Sequence, residues 1–145
     1  MLQINQTRVS DAIPVTQTRT GPEGNCMSAT LASILEIPIW EVPELGGDEE
    51  FLENIQKFLE PRGLYYVQVK PDDPVLETAF QRGEVYHTVE GVSPRGGMHA
   101  CVGLNGSILW DPHPNDGSGH GLVSVECFGL LCARMDNGKR EGKRQ

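Results

Sequence analysis

Apolar residues at Met27, Leu31, Ile34 and Leu35 carry the spacing that puts one apolar face on a helix. They follow Gly24-Asn25-Cys26, so the pattern predicts a helix with Asn25 as N-cap and Cys26 at the first helical position. Pro38 disfavours helical geometry in the residue before it and predicts a stop at Glu36 or Ile37. A second helix follows from Phe51, Leu52, Ile55, Phe58 and Leu59. Asp48 opens it, Glu49 and Glu50 fall in its first turn, and Pro61 and Gly63 end it. Between the two, Ile37 to Pro43 reads as a connector in which Trp40 plugs the edge of the core. Ahead of both, Met1 to Glu23 alternate weakly and predict an extended arm that turns into the Cys26 helix through Gly21-Pro22-Glu23-Gly24.

The period then changes. Leu64-Tyr-Tyr-Val-Gln-Val69 is a β-branched and aromatic run of strand length. Pro71 to Pro74 predicts a turn, Val75 to Arg82 a short helix ending at Gly83, Glu84 to Val92 a strand, and Ser93 to Gly97 a loop. Leu122 to Glu126 reads as a further strand after the Gly/Pro/His/Asn loop of Pro112 to Gly121. Cys127 to Arg134 reads as a last strand or short turn. One α+β domain over residues 1–135, followed by a polar, basic tail over 136–145 without fixed structure, is the organisation these segments imply.

Met98 to Pro112 allows a register to be argued. Asn105-Gly106 between two apolar-rich runs is a strong hairpin signal. A two-residue turn pairs Leu104 with Ser107 and leaves neither face clean. A three-residue loop, Leu104-Asn105-Gly106, pairs Gly103 with Ser107 and gathers Ala100, Val102, Ile108 and Trp110 on one apolar face. The other face then holds His99 opposite Asp111, beside Cys101 and Leu109. A one-residue slip swaps every side chain between faces, so burial favours the second register and predicts contact between His99 and Asp111.

Composition narrows the classes of function. The net charge of −8 argues against nucleic acid as the main partner, because phosphate binding needs a positive surface. Lys139, Arg140, Lys143 and Arg144 crowd the tail, so the rest of the chain is more acidic still, which favours basic peptide or protein substrates through steering. No apolar run approaches the ~20 residues of a membrane span, and no secretory signal pattern precedes Pro14. A cytoplasmic protein with four free thiols and no cofactor is the expectation, its oligomeric state open.

The candidate chemistry begins at Cys26. A sulfur at the first position of a helix feels exposed N–H groups and the positive end of the dipole, which favour the nucleophilic thiolate. A strand-borne His99 paired to a carboxylate supplies the base and the group that orients it. Gly24-Asn25-Cys26 opening a helix resembles the nucleophile segment of papain-like cysteine peptidases. His99-Ala-Cys-Val-Gly-Leu-Asn-Gly-Ser-Ile-Leu-Trp-Asp111-Pro112 is similar to the His-strand, turn, strand-Asp-Pro pattern of the bacteriocin-processing double-glycine-leader peptidases and their stand-alone relatives. The resemblance implies a papain-like fold, with the Cys-bearing helix packed on an antiparallel sheet that carries His and Asp. It implies Cys26 as nucleophile, His99 as general base and acid, Asp111 as orienting residue, and Gln17 as oxyanion donor. Gln17 stands upstream of Cys26 with Gly21-Pro22-Glu23-Gly24 to loop out between, and Met27 stands where those peptidases usually have Gly.

Hydrolysis of a peptide, isopeptide or other amide bond is the leading reaction. An acyl transferase of transglutaminase type would use the same residues, and a binding or inhibitor module could keep the scaffold without the chemistry. His99, Cys101, Asp111, His113 and His120 are all zinc-ligand types, so a metal site is the rival chemistry, although Cys-x-x-Cys and His-Glu-x-x-His patterns are missing. The bland readings are a buried histidine at His99, a turn-initiating Asp111 and a small buried hydrophobe at Cys26. His87 reads as structural, Cys127 and Cys132 as core, and His113 and His120 as loop residues able to contact substrate.

Overall fold

Helix α1, Cys26–Leu35, starts and stops where the sequence places it. Glu36 takes the left-handed conformation (φ 59°), and the chain closes with Glu36 N–H on Ser33 O (3.4 Å) and Ile37 N–H on Ala32 O (3.0 Å). The helix is buried on more than one face, since every residue from Met27 to Ile34 is covered. Its hydroxyls are satisfied inside: Thr30 Oγ1 donates to Ala100 O (3.3 Å), while Ser33 Oγ donates to Ala29 O (2.9 Å) and accepts from Val15 N–H (3.0 Å). The computed structural model describes residues 14–18, 25–45, 50–114 and 119–134. Most of the predicted arm, the 21–24 turn, Asp48, Glu49 and the 136–145 tail lie outside these.

The connector does not use Trp40 as a plug. Ile39–Glu41 forms a 3₁₀ turn that aims Ile39 at the core and leaves Trp40 81% exposed, while Val42 and Leu45 fill the edge instead. Helix α2, Phe51–Leu59, buries Ile55 and Leu59 and half-buries Phe51 and Phe58, but Leu52 faces outward. A 3₁₀ turn and Gly63 (φ 75°) lead into β1, Leu64–Val69. Asp73 caps α3, Pro74–Gln81, by accepting Val75 N–H at 2.9 Å. The remaining strands are β2 (Tyr86–Val92), β3 (Met98–Leu104), β4 (Ser107–Trp110) and β5 (Ser124–Ala133).

The architecture is α+β, with an N-terminal helix and, among the described residues, an antiparallel sheet in the order β1-β5-β2-β3-β4. The two segments expected at Leu122–Glu126 and Cys127–Arg134 are one strand, because β5 lies between β1 and β2 and pairs with both. Its pairing with β2 slips between Glu90 and Gly91. Gly91 is needed there, since a Cβ would stand 1.9 Å from Ser124 O. Alternation along the strands feeds two cores. Leu64, Tyr66, Tyr86, Ala100, Val102 and Leu131 meet α1 and α2, whereas Val89, Cys101, Phe128, Leu130 and Cys132 meet α3. Among the described residues no helix is long and apolar enough to cross a membrane.

Candidate active site

The β3–β4 hairpin carries two of the predicted site residues, and its register differs from the expected one. The turn is the two-residue Asn105-Gly106, both with positive φ (48° and 93°), pairing Leu104 with Ser107 and Gly103 with Ile108. The register then shifts so that Val102 faces Trp110, with Leu109 as the extra residue. Two forces set this outcome. Asn105 locks the tight turn onto the start of β2, with its N–H on Val85 O (3.1 Å) and its Oδ1 on Val85 N–H (2.8 Å). The bulge then returns Trp110 to the α1 core, where its Nε1–H donates to Val15 O at 3.0 Å. Ile108 is left 41% exposed.

His99 and Asp111 nevertheless meet, as the pattern predicts. His99 Nε2 lies 2.7 Å from Asp111 Oδ1, and both side chains are nearly inaccessible. Asp111 also initiates the turn that its place before Pro112 suggests: Oδ1 accepts His113 N–H (2.8 Å) and Oδ2 accepts Gly121 N–H (2.5 Å). These backbone contacts were not visible in the sequence beyond the Gly/Pro content of the loop. His120 Nε2 on His113 O (2.7 Å) and His113 Nδ1 on Pro114 O (2.7 Å) help hold that loop. His113 is buried and His120 exposed, and each ring has one nitrogen on a backbone carbonyl.

Burial alone would lower the His99 pKa, but the hydrogen bond to Asp111, reinforced by Cys101 and Cys26, reverses this and holds it at about 11. Burial alone would raise Asp111, yet His99 and the Gly121 and His113 N–H groups keep its carboxyl well below the usual carboxylate range. The ring is therefore favoured in its protonated form by the carboxylate. Its Nε2 faces the carboxylate, leaving Nδ1 for other chemistry.

Cys26 is half-buried at the first position of α1 and is among the groups that hold the proton on His99. Asn25 precedes it without a side-chain cap on the helix. Its amide instead reaches back to Thr18, accepting Thr18 N–H at Oδ1 (3.0 Å) and donating to Thr18 Oγ1 (2.7 Å). This clasp brings Gln17 toward the helix start although six residues intervene between Thr18 and Asn25. Gln17 is buried, and its backbone N–H donates to Pro112 O at 2.8 Å, next to Asp111. Cys26, His99, Asp111 and Gln17 therefore converge on one end of the sheet.

Cys101 belongs to the same cluster. Its sulfur, a ring nitrogen of His99 and a carboxylate oxygen of Asp111 lie within 4.8 Å of one another. Cys101 is fully buried, and burial, only partly offset by His99, pushes its thiol up. All four cysteines are free thiols. Cys132 is a core residue, with burial raising it to about 11. Cys127 is not: it is half-buried with Sγ 3.6 Å from Glu90 Oε1, and burial with the Glu90 charge raises it to about 12.

Glu90 is the polar residue whose role the sequence hid. It is buried on the helix side of β2 and accepts from Tyr66 OH, Thr88 Oγ1 (2.5 Å) and Gln68 Nε2 (3.0 Å), tying the β1 and β2 side chains across β5. Its fully donated carboxylate is a structural joint. Compared with protein-family models, curated proteins and solved structures, the chain matches none.

Proposed function

We propose that the protein is a cysteine-dependent hydrolase of papain-like type, cleaving a peptide, isopeptide or other amide bond. The observation that carries this reading is the buried His99–Asp111 pair at 2.7 Å, coupled to a half-buried cysteine at a helix N-terminus. The imidazolium and the helix dipole both favour the Cys26 thiolate, which attacks the carbonyl carbon. The Cys26 backbone N–H and the Gln17 amide stand as donors to the oxyanion. His99 gives its proton to the leaving amine, producing a thioester. Forming that thioester removes the Cys26 charge that helped hold the ring proton. The neutral ring then takes a proton from the water that resolves the intermediate, while Asp111 keeps it oriented. The formal charge of −8 fits a basic peptide or protein segment as substrate.

The test is alkylation of the native protein by iodoacetamide across pH, with mass spectrometry locating the modified cysteine. Selective reaction of Cys26 below pH 7, slowed in His99→Ala, is the expected result. Cys26 reacting no faster than an ordinary thiol would overturn the reading.

A further inference from the structure

Cys101 is the member of the cluster that hydrolysis does not use. A buried free cysteine is ordinarily a small hydrophobe, and most of the lining of this one fits that role: Val89, Phe128 and Leu130 share its core. Its sulfur, however, faces an imidazole nitrogen and a carboxylate oxygen, all three mutually within 4.8 Å. Nitrogen, thiolate and carboxylate are the donor types of tetrahedral zinc. Zinc bonds of ~2.0–2.3 Å set ligand atoms about 3.4–3.7 Å apart. With every spacing in the cluster at 4.8 Å or less, a contraction of at most about 1 Å, with a similar opening of the His99–Asp111 contact, meets this. The carboxylate is already aimed by the His113 and Gly121 N–H groups, the kind of support that orients a metal ligand. His113 and His120 lie outside the set, because their rings are engaged with the carbonyls of Pro114 and His113.

We infer that Zn²⁺ binds at His99, Cys101 and Asp111, and that metal binding and thiol catalysis exclude one another because both need the same ring and carboxylate. On binding, the thiol proton of Cys101 and the ring proton of His99 leave to solvent, and the ion takes their place. A fourth position stays open to water, as in sites with three protein ligands. Softer thiolate and imidazole donors select against Mg²⁺ and Ca²⁺. The metal-binding half stands on the cluster geometry; the inhibitory half rests on the hydrolase reading.

The experiment uses the full chain, stripped of metal with a chelator and kept reduced, and titrates it with Co²⁺ as a spectroscopic stand-in and then with Zn²⁺. One equivalent of Co²⁺ is expected to give tetrahedral visible bands and a near-ultraviolet thiolate-to-cobalt band, which Zn²⁺ abolishes. The thiolate band should vanish in Cys101→Ala and persist in Cys26→Ala. Affinity should fall in Cys101→Ala by more than the ~10–100-fold that losing a supporting hydrogen bond costs a metal site. Cys101→Ser provides the same comparison should the alanine variant not fold. Zn²⁺ should also slow iodoacetamide labelling of Cys26. Absence of bands, or bands that survive loss of Cys101, would overturn the metal site. Bands without any metal-sensitive Cys26 labelling would overturn the exclusion. Slow labelling of Cys26 in the metal-free protein would sink the hydrolase reading and leave the cobalt result standing.

Discussion

His87 and His99 sit on neighbouring strands, at opposite ends of the β2–β3 ladder, and are both buried, yet their surroundings push their pKa values in opposite directions. His87 lies between Phe80 and Phe128, with Nδ1 on Thr88 O (2.9 Å) and Nε2 accepting Gly106 N–H (2.9 Å). Nδ1 is therefore the donor and the ring is neutral. Burial lowers its pKa, with only a backbone carbonyl opposing. His99 is nearly as hidden from solvent, but a carboxylate faces it and opposes the cost of burying charge. Burial by itself discharges a histidine; the partner decides whether it becomes a joint or an acid.

The sharpest way to break this contrast is to remove each ring. On the hydrolase proposal, His99→Ala should lower turnover by ~10²–10⁴-fold, the usual contribution of a positioned acid-base group, while the fold persists by circular dichroism. His87→Ala should leave the reactivity of Cys26 per folded molecule intact and lower the urea midpoint instead.

Next in size is the packing at the structural end. Gly103 faces His87 so closely that a Cβ would stand 2.5 Å from Cε1 of the ring and 2.5 Å from Val89 Cγ2. Gly103→Ala should cost about 1–3 kcal/mol by overpacking, measured by urea unfolding, without shifting the pH profile of Cys26 alkylation.

The two rings should also give stability opposite pH dependences. His87 has a lowered folded pKa, so the unfolded chain binds the extra proton. Stability should fall as pH drops below about 6.5, by up to ~1.4 kcal/mol per pH unit, and His87→Gln should flatten this. His99 has a raised folded pKa, so its contribution is full below about 6.5 and is lost as pH rises through its folded value of about 11. Asp111, held low, contributes above its unfolded value of ~3.9 and loses that contribution as pH falls through its folded pKa. Imidazole NMR through titration separates the rings: His99 should remain protonated well above neutral pH and lose this in Asp111→Asn, while His87 stays neutral in mild acid.

The smallest effect belongs to an ion pair without burial. Glu53 and Lys57, four apart on α2 and 3.6 Å from each other, are exposed. Lys57→Ala should change unfolding free energy by less than ~0.5 kcal/mol, against the large effect of breaking His99–Asp111.

Much of this was legible along the chain. Helical spacing at Phe51, Ile55, Phe58 and Leu59, the β-branched run of Leu64 to Val69, and the Asn105-Gly106 turn are local signals, and local signals survive folding. Contact between His99 and Asp111 was legible too, but for a reason only partly right. Burial did select the face of Trp110, through a bulge at Leu109 rather than a longer turn. Trp40 illustrates the opposite case: a large apolar residue suggests core, but a 3₁₀ turn rotated it outward and Val42 and Leu45 took the space.

By itself, the sequence determined where elements start and stop, because caps, prolines, glycines and periodicity act within a few residues. It also determined that a thiol would open a helix and that a histidine and an aspartate would share a hairpin. Tertiary structure alone decided what those groups became. Thr18 reaching Asn25 brought Gln17 back to the helix, Gly121 and His113 aimed Asp111, and the core with Val89, Phe128 and Leu130 buried Cys101 beside His99. Charge state and accessibility depend on groups far apart in the chain, and only packing brings those groups within a few ångströms.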